Sequence, residues 1–208
     1  MSDNLPRWLE WGRELEAIAR TGLTFTDGSF DKLRYERIRQ LAAEIIASGG
    51  SVELGPLLSG FAADSGYATP KVDVRGVVFR NDELLLVKGK EDGGWTLPGG
   101  WADVGDTPAE SVEREIFEEA GFQTRATKVL MVLDRDRQRH TPIIHATYKL
   151  FIRCEIVGGA PADSIETEGA AFFAEGAIPP LSLARTLPSQ VTRIFEHLRN
   201  PARPTDFE

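Results

Sequence analysis

Apolar residues recur at helical spacing from the start of the chain. Leu5, Trp8, Leu9, Leu15, Ile18 and Ala19 share one stripe crossed by Gly12, and Gly22 is placed to close this first helix as a C-cap. A second helix is predicted after Asp27-Gly28-Ser29. Its stripe is Phe30, Leu33, Ile38, Leu41, Ala42, Ile45 and Ile46, and Gly49-Gly50 ends it. Such a hairpin buries too little to stand alone, so it is expected to pack on the rest of the chain or on another subunit. Residues 51–70 are rich in Gly, Ser and Ala and read as a connector.

From Lys71 the period changes to two. Val72, Val74, Gly76 and Val78 alternate with Asp73, Arg75 and Val77, Asn81-Asp82 makes a turn, and Leu84 to Val87 is a second apolar run, which together predict a β-hairpin. Val129–Leu133 and Ala170–Phe173 read as short strands. Between them His145–Ile156 alternates, with Ala146, Tyr148, Leu150, Ile152, Cys154 and Ile156 on one face and mostly polar residues on the other. Ser189 is placed to cap a last helix with the stripe Val191, Ile194, Phe195 and Leu198. The C-terminal body is therefore of the α/β class with a mixed set of elements.

A length of 208 residues suits one ordinary domain plus a small extra one, divided here as 1–65 and 66–208. No apolar run is long enough to span a membrane, and Met1 to Glu10 lacks the basic start and apolar core of a signal peptide, so a soluble protein is expected. The single cysteine, Cys154, forms no internal disulfide, which fits a reducing cytoplasm. The net charge of −8 comes without an obvious basic patch, so nucleic acid is not an expected partner. Phosphate-bearing small molecules stay open, because a divalent cation such as Mg²⁺ commonly sits between protein carboxylates and substrate phosphates.

The densest chemistry lies in Leu97 to Phe122, LPGGWADVGDTPAESVEREIFEEAGF. Thr107-Pro108-Ala109-Glu110 starts a helix: Thr107 caps, Pro108 tolerates the first position and Glu110 reaches back. Gly121 is its C-cap, so the helix is expected over Pro108–Ala120. At about 100° per residue, Glu118 and Glu119 fall at about −60° and +40° from Glu115, on one narrow face. Ala109, Val112, Ile116 and Ala120 form the adjoining apolar face. Like charges so spaced weaken a helix unless a cation binds them, and hard cations take oxygen ligands. The glycines of Leu97-Pro98-Gly99-Gly100 let backbone approach an ion or a phosphate. Taken alone, three such glutamates are more often a solvated acidic face.

The surrounding letters change that balance. The stretch resembles the Nudix box, a glycine, five residues, a glutamate, seven residues and then R-E-U-x-E-E-x-G-U with U apolar. Gly100 opens it here, and Arg114-Glu115-Ile116-Phe117-Glu118-Glu119-Ala120-Gly121-Phe122 fits every fixed position of its second half. Asp106 stands where the family has glutamate; the charge is kept and one methylene is lost. Residues 100–105, residues 66–76 and the run Phe30-Asp-x-x-Arg-Tyr-Glu36 resemble a Nudix subfamily with an N-terminal helical domain, which includes CDP-choline pyrophosphatase-like and ADP-ribose pyrophosphatase-like enzymes.

The resemblance implies a Nudix α/β/α sandwich with a mixed sheet, preceded by the small helical hairpin. It implies hydrolysis of a nucleoside diphosphate linked to another moiety, of the CDP-choline or ADP-ribose type, by an enzyme that uses Mg²⁺ or Mn²⁺ and is a homodimer. Glu115, Glu118 and Glu119 would hold metal with the Gly99 carbonyl, and Arg114 would fix a helix carboxylate. The general base is left among Glu115, Glu166 and Glu168, with Glu168 preferred. Arg75, Trp101, Asp134 and Arg135 are the expected substrate contacts. His140 and His145 read as structural or surface residues, Cys154 as core, and Trp8 and Trp11 as packing of the hairpin or of a dimer interface. The competing readings are a nucleoside triphosphate or RNA-end pyrophosphohydrolase and a non-catalytic nucleotide-sensing module. Retention of all three helix glutamates weighs against the last.

Overall fold

The computed structural model describes residues 5–162 and 164–208; Met1–Asn4, from the head of the expected N-terminal domain, and Asp163, at the head of the acidic loop, lie outside the described residues. Two compact units are present, Met1–Pro70 with Pro142–Ala146, and Lys71–Thr141 with Thr147–Glu208. No helix among the described residues is long and apolar enough to cross a membrane.

The first unit holds α1 (Arg7–Phe25), α2 (Ser29–Gly49) and α3 (Leu54–Ala63). Leu9, Ala42, Ala43, Ile46, Leu57 and Phe61 form its core. Gly22 does not end the first helix, which runs on to Phe25 and is capped at Thr26. The glycine serves space instead: a Cβ there would run into the Tyr35 ring, as one at Gly12 would meet Ile46. The expected connector contains α3, because Leu57 and Phe61 fall one turn apart and are both buried. Pro56 sits in its first turn, where a missing N–H is tolerated. The α2 stripe divides. Ala42 and Ile46 face inward, whereas Phe30 is 76 % and Leu33 63 % exposed, and Trp11, Ile18 and Phe25 of α1 are exposed as well.

The second unit is built on a mixed sheet. Its elements are β1 (Lys71–Arg80), β2 (Glu83–Gly89), β3 (Trp95–Thr96), α4 (Pro108–Ala120), β4 (Phe122–Asp134), β5 (Thr147–Gly159), β6 (Thr167–Phe173), α5 (Pro188–Arg199) and β7 (Asp206–Phe207). The strand order is β3-β2-β1-β5-β4-β7, with β6 also paired to β2. β1 runs parallel to β5, and β4 antiparallel to it. Asn81 and Asp82 both take positive φ, 52° and 62°, the left-handed pair that a two-residue hairpin turn requires.

Both faces of the sheet are covered. Val74, Val78, Leu85 and Val87 pack with Val112, Ile116 and Ala120 of α4. Val77, Leu84, Leu86, Met131 and Phe151 pack with Val191, Ile194 and Phe195 of α5. This sandwich corrects the reading of β5. The strand starts at Thr147, after His145 and Ala146, and it is central, so both its faces are packed. Tyr148, assigned inward, is 46 % exposed, while Thr147, Lys149 and Phe151 are buried. β4 starts at Phe122, seven residues before Val129, with register shifts that blur its alternation. The last helix is capped at Leu187, whose N–H donates to Gln190 Oε1; Ser189 lies inside it.

Candidate active site

α4 has the ends its local signals call for. Thr107 Oγ1 accepts from the Glu110 N–H at 3.2 Å, and Glu110 Oε2 accepts from the Thr107 N–H at 2.9 Å. Gly121 closes the helix at φ 77°. With Val112, Ile116 and Ala120 anchored in the core, Glu115 and Glu119 turn toward the Leu97–Gly100 loop. The Gly99 N–H donates to Glu119 Oε2 at 2.8 Å. Gly100 lies so near Glu115 that an added Cβ would stand 2.9 Å from its Oε2.

The loop is itself tied to β1. Val74 N–H donates to the Gly100 carbonyl at 2.9 Å and Gly76 N–H to the Pro98 carbonyl at 2.7 Å. Gly99 has φ 140°, and a Cβ there would overlap the Val74 carbonyl, so glycine is required on two counts.

Burial dominates the electrostatics of the two inner glutamates. It pushes the Glu119 carboxyl up to about 7, aided by the charges of Glu115 and Glu166 and opposed by the Gly99 hydrogen bond and Arg75. Burial likewise raises Glu115, against the pull of Arg114. Arg114 gathers four carboxylates: Glu115 at 2.9 Å, Asp103 at 3.0 Å, Glu118 at 3.1 Å and Asp106 at 3.2 Å. Asp106, the residue that departs from the box pattern, thus still reaches the arginine. Glu118 is drawn aside on the exposed flank.

Among the described residues no group of three or more His, Cys, Asp or Glu converges at metal-binding spacing. What converges is the pair Glu115 and Glu119. Two hard oxygen donors whose ionised forms are penalised by burial are a donor set that suits a hard dication, which lowers that cost.

Arg75 is buried beside this pair. Its Nη2 meets Asp73 at 2.9 Å and its Nη1 donates to the Leu97 carbonyl at 3.3 Å. Trp101 bridges to Asp73 through its backbone and is 48 % exposed as a residue. Asp134 ends β4 and accepts from the Asp136 N–H; Arg135 is buried and donates to the Ala184 carbonyl.

The loop before β6 is pinned by Lys90, which donates to the Ser164 and Ile165 carbonyls, and by Thr167, whose hydroxyl donates to the Glu119 carbonyl at 2.7 Å. Glu168 lies within β6, not ahead of it, and is exposed and hydrogen-bonded to Lys88, which holds its carboxyl below the usual range. The loop carboxylate whose charge acts on Glu119 is Glu166.

His140 is buried between the Leu183 carbonyl and Gln190, with burial pulling its pKa down to about 4. Cys154 is buried too, its thiol pushed up to about 12 by desolvation. Sequence reasoning overlooked Asp73 and Lys149, a buried ion pair between β1 and β5. Their contact had no local signal, since the two residues lie 76 positions apart on strands that only the fold brings together.

Comparison with known proteins places these features. Residues 6–59 match a family described as a UDP-X-like N-terminal oligomerisation domain, and residues 69–193 match the NUDIX domain. The chain is 42 % identical, over 97 % of both chains, to YjhB of Bacillus subtilis, provisionally named an ADP-ribose pyrophosphatase. A crystal structure of a UDP-X diphosphatase superimposes with a TM-score of 0.63 at 29 % identity, covering 97 % of this chain and 98 % of the other. An ADP-ribose pyrophosphatase from Streptococcus suis superimposes with a TM-score of 0.61 at 35 % identity, covering 67 % of this chain and all, 100 %, of that one.

Proposed function

The chain belongs to the Nudix family of pyrophosphohydrolases, with an added N-terminal oligomerisation domain, and from that membership we propose that it splits the diphosphate of a nucleoside diphosphate linked to a second moiety in a Mg²⁺- or Mn²⁺-dependent reaction. The observation that carries this reading is the pair of half-buried Glu115 and buried Glu119 facing the Gly99–Gly100 loop. ADP-ribose and a UDP-linked sugar are the first substrates to test, since relatives bear those names. CDP-choline stays in the panel.

Water adds to one phosphorus, the P–O–P bond breaks, and a nucleoside monophosphate and a phosphorylated moiety are released. Glu115 and Glu119, with Glu118 and the Gly99 carbonyl, are the groups that would hold the dication. When bound, it supplies charge neutralisation at the diphosphate and a lowered pKa for water. Arg114 orients Glu115 through its fork of ion pairs. Arg75 faces the phosphoryl oxygens, and Trp101, Asp134 and Arg135 contact the nucleoside or the linked moiety. Glu166 takes the proton from the attacking water, in preference to Glu168 with its Lys88 partner. Glu166→Gln is expected to lower kcat by about 10²-fold or more, and Glu168→Gln to leave it almost unchanged. The reverse ranking in steady-state kinetics returns the role to Glu168.

The chain is proposed to act as a homodimer through its N-terminal unit. Exposed Trp11, Ile18, Phe25, Phe30 and Leu33 supply an apolar face within the matched oligomerisation domain. Light scattering of the full chain should read twice the monomer mass, and a monomer at working concentration counts against it.

The deciding experiment is a panel of ADP-ribose, UDP-sugars, CDP-choline, dinucleoside polyphosphates and triphosphates, run with Mg²⁺ and with EDTA. Metal-dependent release of a nucleoside monophosphate from one linked diphosphate is the expected result. Pyrophosphate release from triphosphates alone would redirect the reading. No turnover of any member would favour a nucleotide-sensing module.

A further inference from the structure

The loop that carries Glu166 is held by hydrogen bonds more than by packing. Its one large apolar side chain, Ile165, is 94 % exposed, and Glu166 beside it is exposed too. Thr167, the first residue of β6, is buried at 1 %. A hydroxyl so placed is costly unless it is hydrogen-bonded. Thr167 Oγ1 lies 2.7 Å from the Glu119 carbonyl oxygen and 2.9 Å from Ser164 Oγ. A carbonyl only accepts, so the one hydroxyl proton of Thr167 goes to Glu119, and Ser164 must donate to Thr167. Ser164 Oγ in turn accepts from the Glu166 N–H at 3.1 Å and from the Thr167 N–H at 2.9 Å.

This directed chain ends on the helix that bears Glu115 and Glu119. The last carbonyls of a helix have no partner within it. At the end of α4 the Gly121 N–H donates to the Phe117 carbonyl, the Ala162 N–H to the Ala120 carbonyl at 3.2 Å, and the Thr167 hydroxyl to the Glu119 carbonyl. Ala162 and Thr167 therefore close α4 from the two ends of the acidic loop. Glu119 is held from two sides: its side chain accepts the Gly99 N–H and its main chain the Thr167 hydroxyl.

The main chain of Glu166 is fixed at both of its polar groups. Its N–H donates to Ser164 Oγ, and its carbonyl accepts from the Lys90 N–H at 3.0 Å. Lys90 Nζ adds bonds to the Ser164 and Ile165 carbonyls. The Glu166 carboxylate faces solvent, and its charge acts on Glu119. Glu168, two residues on, has its carboxylate engaged by Lys88. A carboxylate carried on a fixed main chain keeps a set reach to the reacting centre, which proton transfer requires.

We propose that Thr167 is a positioning residue for the hydrolysis: its hydroxyl, oriented by Ser164, fixes the Glu166 loop against the C-terminal end of α4, so that Glu166 stands at a set reach from Glu119. Thr167 touches no reacting atom and acts through Glu166. The proposal rests on Glu166 as the group that takes the proton from water; the closing of α4 by the loop does not.

The test compares Thr167→Val, which keeps the β-branched shape and removes the hydroxyl, with Thr167→Ser, which keeps the hydroxyl. On the best substrate of the panel, Thr167→Val should lower kcat by about tenfold or more and change KM by less than about twofold, as a misplaced reacting group does. Thr167→Ser should restore most of the rate. In a Glu166→Gln background the same Thr167→Val change should cost almost nothing further, because the two residues act as one unit. Hydrogen exchange of the Glu166 and Thr167 amides should be faster in Thr167→Val than in wild type or Thr167→Ser. Circular dichroism checks that the variants are folded. A folded Thr167→Val protein with wild-type kcat overturns the proposal, as does an equal loss in the wild-type and Glu166→Gln backgrounds. If Thr167→Val does not fold, Ser164→Ala takes its place. It removes the group that orients Thr167 and holds both amides, and an unchanged kcat overturns the proposal. A slow Glu166→Gln beside a fast Thr167→Val sinks this proposal alone. Glu166→Gln at wild-type kcat sinks the assignment of Glu166 and the positioning role with it, and absence of wild-type turnover removes the reaction that both describe.

Discussion

Glu119→Gln is expected to lower metal-dependent turnover by about 10³-fold or more, the scale of losing a group that holds charge at the reacting centre. The fold should survive and gain. In the wild type the carboxyl is buried and raised to about 7, above the 4.5 of an ordinary glutamate. A group raised on folding favours the protonated native state. Its contribution is present at low pH and is lost as pH rises through the folded value. In EDTA above pH 7, ionised Glu119 therefore destabilises the protein by up to roughly 3 kcal/mol. Gln is neutral, can accept the Gly99 N–H, and removes repulsion with Glu115 and Glu166. Thermal melts in EDTA should show the variant at or above the wild-type Tm at pH 8, with the difference closing toward pH 5. Wild-type turnover in this variant would take Glu119 out of the reacting centre. A fall in Tm at pH 8 would mean that the carboxylate serves packing.

Gly99→Ala should be nearly as damaging to activity by a different route. The residue sits at φ 140°, and its Cβ would overlap the Val74 carbonyl. That strand segment also donates to the Gly100 carbonyl. Relief of the clash must move the loop, which carries the Gly99 N–H bonded to Glu119. We expect about 1–3 kcal/mol of backbone strain, a Tm lower by several degrees, and kcat reduced about 10²-fold through misplacement of reacting groups. Gly105→Ala is the matched control. Gly105 has φ 105° but open space around it, so it carries strain without collision. It should lose some stability and keep its turnover. Equal kinetic losses in the two variants would mean that strain anywhere in residues 97–106 suffices, and that contact with β1 is not what positions Glu119.

Much of the reacting centre was legible because its signals are local. Thr107, Pro108 and Glu110 start α4 and Gly121 ends it, all within one helix length, and the structure places both ends where those letters put them. The three glutamates and Arg114 follow from the helical period. What escaped depends on partners far along the chain. Lys149 meets Asp73 across a separation of 76 residues, and only the parallel pairing of β1 with β5 makes that contact. The same pairing buries both faces of β5, so its alternation misassigned Tyr148. Glu166 and Glu168 are two residues apart in a short acidic run. Which of them acts on Glu119 depends on where β6 joins β2, a question that no local period answers. Gly22 was read as a stop signal because glycine has two uses, and room for the Tyr35 ring is the non-local one. In α3, Gly55, Ser59 and Gly60 masked a helix held by Leu57 and Phe61.

The burial of Cys154 has a practical side. The chain has this one cysteine, sealed in the core with its thiol pushed up to about 12. Thiolate is the reactive form, so near neutral pH the native protein is almost inert to maleimides. A second cysteine introduced on an exposed residue, for instance at Ile165→Cys on the loop before β6, would therefore take a fluorophore or spin label alone. Distances and motions around that loop become measurable without first removing the native sulfur.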